Sequence, residues 1–173
     1  MINKIIIFDF DGTLFHTPTD IEGKKIWLEK TGLVWPYTGW WGKAETLNTD
    51  IFYVPINQYV LSKYKEAKAD PEAYVVLLTG RLQKVANMRK NVETILAQHG
   101  LEFDEVHLSW GETFRFKTRM MESLMSKFKV DDLIMYDDRH AHIVKFKEWS
   151  IGQPSNITII DVTNKEVTRI ENK

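Results

Sequence analysis

Residues Phe8 to Phe15 read FDFDGTLF and directly follow the run Ile5-Ile6-Ile7. Lys4 to Phe10 is predicted as a first strand. Its apolar residues run on rather than alternate, the pattern of a strand buried on both faces, as in a parallel sheet. Two carboxylates one residue apart, Asp9 and Asp11, close the strand, and Gly12 and Thr13 follow. A solvated turn is the plainest explanation of such a pair. The segments downstream point to chemistry instead.

From Phe15 to about Val54 the chain holds Pro18, Gly23, Gly32, Pro36, Gly39, Gly42 and four tryptophans. One helix is expected near Ile21 to Lys30, and the remainder reads as an irregular insert stabilised by aromatics. A helix is predicted from Pro55 to Lys68, with Ile56, Tyr59, Val60 and Tyr64 on one face and the proline in its first turn. Tyr74–Leu78 reads as the second strand. Leu82–His99 reads as an amphipathic helix ended by Gly100. A short strand follows at Glu105–Ser109, then a helix over Phe114–Phe128. Leu133–Tyr136 is a strand, His140–Trp149 a helix and Ile157–Val162 a last strand. The final dozen polar residues are expected to be peripheral. Strands alternating with helices predict an α/β fold with a doubly wound parallel sheet. The 173 residues suit a single domain over 1–173, with a small cap-like insert at about 15–54.

The charges exclude some functions. Net charge is −1, so no global excess of positive charge is available to hold a nucleic-acid backbone. Cysteine is absent, which rules out disulfides, thiolate catalysis and thiolate-held zinc. The N-terminal apolar stretch is too short for a signal peptide, and no apolar run is long enough to span a bilayer. The expected location is cytoplasmic, with no membrane partner. Oligomeric state is left open.

In open parallel sheets, ligands bind at the carboxyl ends of the strands. Past the first strand come Asp9, Asp11, Gly12 and Thr13. Past the second come Thr79, Gly80 and Arg81. Lys117 lies at a helix start, and Asp137, Asp138 and Arg139 follow a later strand. Several carboxylates, one or two cations and a hydroxyl suit phosphoryl transfer. A phosphate monoester is a dianion, and a carboxylate nucleophile needs positive charge between itself and the ester. Mg²⁺ on acidic oxygens supplies such charge. A lysine and a hydroxyl can hold the other phosphate oxygens, and a second acid can serve the leaving oxygen and then water.

FDFDGTL, LLTGR, Lys117 and YDDR, in that order, resemble the four signature motifs of the haloacid dehalogenase superfamily of phosphohydrolases. The resemblance covers about residues 4 to 150. It implies that Asp9 is the nucleophile and a metal ligand, and that Asp11 is the general acid and base with its carbonyl on the metal. It implies further that Thr79 binds phosphate, that Lys117 neutralises phosphate and Asp9, and that Asp137 and Asp138 hold Mg²⁺. FDFDGTLFHTP, the tryptophan pair after Gly39, FDEVHL, TFRFK and YDDRHAHIVKF are similar to the Swiss Army Knife RNA repair-like branch. The Asp-Asp-Arg element also resembles the phosphatase half of polynucleotide kinase/phosphatase enzymes. The expected partner is therefore a phosphorylated substrate, a nucleotide or a nucleic-acid end. The alternatives are a small-molecule phosphatase such as a 5′-nucleotidase, and a binding module that has kept the fold without catalysis.

Several residues carry two readings. Asp137, Asp138 and Thr79 also suit helix N-caps. Arg81 and Arg139, with Gly80, are candidates for substrate binding, but either arginine could pair with carboxylates of the site. His16, His140 and His142 read as structural rather than as zinc ligands. Trp40 and Trp41 could stack on a base, although a paired role in the insert's own core is favoured. Lys24-Lys25, Lys84-Arg89-Lys90 and Arg115-Lys117-Arg119 could form a basic path, against the plainer reading of scattered solvated charge.

Overall fold

The computed structural model describes residues 1–173. Its centre is one six-stranded sheet in the order β3-β2-β1-β4-β5-β6. The strands are β1 (Lys4–Phe8), β2 (Ala73–Leu82), β3 (Glu105–Ser109), β4 (Asp132–Asp137), β5 (Asn156–Asp161) and β6 (Glu166–Ile170). The first five run parallel, and β6 returns antiparallel along β5. The chain leaves β1 in one direction and later crosses back to β4 on its other side. β1 is thus the switch point of a doubly wound sheet, the place where such folds bind ligands.

Alternation along the central strands divides the core in two. Ile6, Phe8, Val75 and Leu77 face one side, where α2 (Gln58–Ala69) and α3 (Met88–Gln98) bring Val60, Tyr64, Val92, Ile95 and Leu96. Ile5, Ile7, Val76 and Leu78 face the other, against Phe116, Met121 and Leu124 of α4 (Thr113–Phe128) and Ile143 and Phe146 of α5 (His140–Ser150). Each of these fully buried side chains contributes about 1.5–3 kcal/mol of transfer free energy. β1 feeds both cores, which fixes its carboxyl end tightly. No helix is long and apolar enough to cross a membrane.

The structure departs from the sequence expectation at several element ends. β1 stops at Phe8, and α2 begins at Gln58 rather than in the first turn after Pro55. Asn57 caps α2 by accepting from the amides of Tyr59 and Val60, while the Pro55 carbonyl accepts from the His16 amide. β2 runs on to Leu82 with a register shift past Thr79, so α3 starts six residues later than expected, at Met88. The C-terminal residues are not peripheral. They form β6, and the Asn172 amide group ties the tail to the carbonyls of Ser150 and Ser155.

The segment between Phe15 and Val54 carries α1 (Asp20–Thr31) and a short 3₁₀ turn, Ala44–Leu47. It has its own small core of Trp35, Trp40 and Phe52, with Ile26, Trp27 and Ile51 against it. Gly23 makes this packing possible. A Cβ there would lie 2.0 Å from Cζ2 of Trp40.

Candidate active site

The backbone past β1 continues the ladder for one more step, with the Asp9 amide donating to the Tyr136 carbonyl. It then turns sharply at Gly12, whose φ of +70° lies in the left-handed region. A side chain there would also collide with the acid opposite, because a Cβ would sit 2.2 Å from Asp138 Oδ2. Gly12 is thus required twice, once for the turn and once for the close approach of Asp138.

Three carboxylates meet at this turn. Asp9, Asp137 and Asp138 each offer an oxygen within 4.8 Å of the others. Lys117 joins them from the second turn of α4. Glu112 caps that helix by accepting from the amides of Phe114 and Arg115. The Lys117 ammonium donates to Asp9 Oδ1 and to Asp137 Oδ2, both at 2.8 Å. The Thr13 hydroxyl lies 3.1 Å from Asp9 Oδ2 and 3.3 Å from Asp138 Oδ1. Asp137 also accepts from the Arg139 amide, which turns the chain into α5.

Asp11 has separate partners. Arg81 grips it with two donors, Nε to Oδ2 at 2.9 Å and Nη2 to Oδ1 at 2.7 Å, and the Thr17 hydroxyl donates to Oδ1. The remaining Arg81 nitrogen donates to the Trp41 carbonyl and the Thr46 hydroxyl. Of the two readings open for Arg81, the structure shows pairing with a carboxylate of the site. Arg139 differs, being exposed at the edge of the cavity with a guanidinium that makes no ion pair.

Electrostatics follow from burial and partner count. Burial pushes the Asp9 carboxyl well above its usual range; Lys117 opposes this, and Asp137 and Asp138 reinforce it. Asp138 is raised for the same reasons, burial first and Asp137 next. Burial would lower Lys117, but Asp137 and Asp9 together outweigh it and hold the ammonium charged. The ammonium thus secures its own charge more completely than that of Asp9. At Asp11 burial also pushes upward, yet the Arg81 guanidinium overcomes it and holds the carboxyl below its ordinary value. Four carboxylates thus face two buried cations, Lys117 and Arg81, leaving about two negative charges without a partner. Hard oxygen donors with that deficit fit a divalent cation such as Mg²⁺, for which Asp9, Asp137 and Asp138 offer the clustered oxygens.

A cavity of about 800 Å³ opens over this cluster, bordered by Asp9, Asp11, Gly80, Lys117, Asp138 and Arg139. Thr79 and Asp137 are fully buried and do not border it; Thr79 instead accepts from the Arg81 amide. Three residues at the site escaped the sequence reading. Thr17 and Thr46 bond Asp11 and Arg81, and Thr113 packs over Gly80 at the cavity wall. No spacing signals a lone threonine in an irregular insert. The tryptophan pair splits: Trp40 is buried in the insert, and Trp41 lies at the cavity edge. His142 is buried between Phe114 and Phe146, and His140 lies 3.8 Å from Asp161, so neither joins the acid cluster. Several members of the basic segments are already engaged. Lys24 pairs with Asp20, Arg89 with Glu93 and Arg119 with Glu122, while Lys117 is buried.

A model of the family described as HAD domain family 1 in Swiss Army Knife RNA repair proteins matches residues 27–172. The uncharacterized protein YMR265C of Saccharomyces cerevisiae is 26% identical over 177 residues, covering 86% of this chain and 37% of its own length. Among solved structures, a chain of the Pnkp1/Rnl/Hen1 complex aligns with a TM-score of 0.59 at 21% identity, over 92% of this chain and 46% of that one. A HAD-superfamily hydrolase of subfamily IA from Geobacter sulfurreducens aligns with a TM-score of 0.51 at 11% identity, over 90% of this chain and 85% of that one. The chain thus spans well under half the length of the yeast relative, and somewhat under half of the repair-complex chain. The matched span, over most of the chain, establishes that the chain belongs to the HAD domain family of Swiss Army Knife RNA repair proteins.

Proposed function

We propose that the chain is a Mg²⁺-dependent phosphatase that hydrolyses a phosphate monoester through an aspartyl-phosphate on Asp9, acting on a nucleotide or a nucleic-acid end. The observation that carries this reading is the meeting of Asp9, Asp138 and Lys117, from three distant segments, at the floor of one cavity. Bound Mg²⁺ would supply the positive charge that lets a carboxylate approach a phosphate dianion.

The chain's own groups divide the remaining work. Lys117 holds Asp9 Oδ1, which orients the carboxylate and leaves Oδ2 with only the Thr13 hydroxyl upon it. Oδ2 attacks phosphorus, and the bond from phosphorus to the ester oxygen breaks. A proton from Asp11 passes to that leaving oxygen. In the second half a water attacks the same phosphorus, its proton goes to Asp11, and the bond to Asp9 breaks to release inorganic phosphate. The Arg81 fork favours the ionised form of Asp11, the one required to accept that proton. The carboxylate must therefore first take up one proton from solvent before it can give it to the leaving oxygen. The proton taken from the attacking water then restores it for the next turnover.

The test is phosphate release from a 3′-phosphorylated oligonucleotide, a 5′-phosphorylated one and free mononucleotides, with Mg²⁺ or with chelator. Metal-dependent release is expected, lost in Asp9→Asn with the fold retained. Release that survives Asp9→Asn, or no release from any ester, refutes the assignment. Preference for free mononucleotides favours the small-molecule alternative.

A further inference from the structure

Trp40 and Trp41 are adjacent in sequence but face different surroundings. Trp40 is 3% exposed, packs on Trp35 and Phe52, and donates through Nε1 to the Pro18 carbonyl. Trp41 is 47% exposed, belongs to no apolar cluster and borders the cavity. Its ring nevertheless has a fixed neighbour. The Arg81 guanidinium lies 5.4 Å from the indole centroid, and the same group donates to the Trp41 carbonyl at 2.7 Å. Arg81 cannot swing away, because Asp11 and Thr46 hold its other donors. A flexible surface tryptophan would have none of these restraints. This one is backed on one side by a cation and open on the other.

Its placement relative to the chemistry is specific. One guanidinium touches both Asp11, the group assigned to the leaving oxygen, and Trp41. The indole therefore sits on the leaving-group side of the site. The cavity of about 800 Å³ is far larger than a phosphate requires, since a phosphate displaces only a few waters of about 30 Å³ each. Its apolar lining is Pro18, Ile26, Trp41 and Tyr53, all from the insert. Thr17, Thr19 and Glu22 beside them offer polar groups suited to sugar hydroxyls.

We infer that Trp41 is a stacking platform for a nucleobase, so that the leaving group is a nucleoside whose base lies on the open face of the indole. The inference rests on the phosphatase reading and adds the leaving group. Base–aromatic stacking tolerates every base, so the platform reads the presence of a base rather than its identity.

The test compares kcat/KM, with Mg²⁺, for an oligonucleotide whose 3′-phosphorylated terminal residue carries a base and for the same strand ending in an abasic 3′-phosphate. The wild-type protein should prefer the base-bearing end by about tenfold or more, as removal of one base–aromatic stack does elsewhere. Trp41→Ala should bring that ratio to within about twofold of unity, and Trp41→Phe should keep most of it. A nucleoside 3′-monophosphate tells a free nucleotide from a strand end: equal values assign the ligand to the mononucleotide, and a higher value for the strand assigns it to the polymer. A wild-type ratio near unity, a ratio unmoved in Trp41→Ala, or preferred turnover of a phosphotyrosine peptide overturns the inference while leaving phosphatase activity intact. Absence of turnover on every ester defeats the phosphatase reading instead. The stack is then judged by equilibrium binding of the same two ends to Asp9→Asn, where no preference for the base overturns it.

Discussion

Replacing Lys117 by methionine removes the one cation that two buried acids share. The ammonium is 2.8 Å from Asp9 Oδ1 and from Asp137 Oδ2, and the three side chains are 3%, 10% and 1% exposed. Methionine keeps much of the volume but leaves both carboxylates facing each other without compensation. Breaking a buried pair in this way costs about 3–5 kcal/mol. For a chain of this size, that is a fall in Tm of roughly 6–20 °C. The loss must also depend on pH in a stated direction. Lys117 has its pKa raised, so its contribution is complete below its unfolded value and disappears only in strong alkali. Asp9 has a folded pKa above its unfolded one, so its ionisation weakens the native state at neutral pH, and the penalty fades as pH falls through the folded value. Without the ammonium that penalty grows. Urea denaturation of both proteins in chelator should therefore show a large difference near pH 7.5 that narrows near pH 5.5. A difference below about 1 kcal/mol at neutral pH, or one constant across this range, would refute the account of a charge-starved acid cluster.

Added Mg²⁺ should raise the Tm of chelator-treated protein, by up to about 2.7 kcal/mol of stability at a hundredfold excess over Kd. The increment should shrink from about pH 8 to about pH 5.5, because protons compete for Asp9 and Asp138, both raised by burial; an increment that grows on acidification would contradict this. Gly23→Ala should destabilise by about 1–3 kcal/mol in urea unfolding even though alanine is the better helix former, since its Cβ would fall 2.0 Å from the Trp40 ring. In a Trp40→Ala background the same change should become neutral or stabilising, and persistence of the penalty there would place its cause elsewhere.

The sheet and its strand-end chemistry were legible because they are written in strong local patterns. Ile5 to Phe8 could only be a doubly buried strand, and the acids after it had no apolar role. Convergence of Asp9 with Asp137 and Asp138 then follows from topology, once β1 and β4 lie side by side. Lys117 was legible as a helix-start residue, although nothing in its neighbours Arg115 and Arg119 marks it as the buried one. β6 was missed because it is an edge strand with charges at Glu166 and Arg169, the composition that keeps an edge from aggregating and also resembles a polar tail. The start of α3 was missed because β2 continues past its bulge, which no propensity reports. Thr46 was illegible for a deeper reason. Its role is defined only by a side chain from a segment 35 residues away.

Arg81 shows why the insert cannot be treated as a separable lid. It projects from β2, which is anchored in both cores of the sheet, yet it takes two of its hydrogen bonds from the insert and two from Asp11. The small aromatic core of Trp35, Trp40 and Phe52 fixes the backbone on either side of Trp41 and Thr46. Packing inside the insert therefore sets where the Trp41 carbonyl lies, and the carbonyl helps to set where the guanidinium lies. The guanidinium in turn sets the position and charge of Asp11. Asp9 has no such dependence, because its partners Lys117, Thr13 and the Tyr136 carbonyl of β4 all lie outside the insert. The two carboxylates of the FDFDGTLF turn thus answer to different parts of the molecule. Asp9, the proposed nucleophile, is governed by the sheet, whereas Asp11, the proposed acid and base, is governed through Arg81 by the insert that also borders the cavity. Sequence change in the insert can then alter both the cavity wall and the position of Asp11, while the Asp9 carboxylate stays where it is.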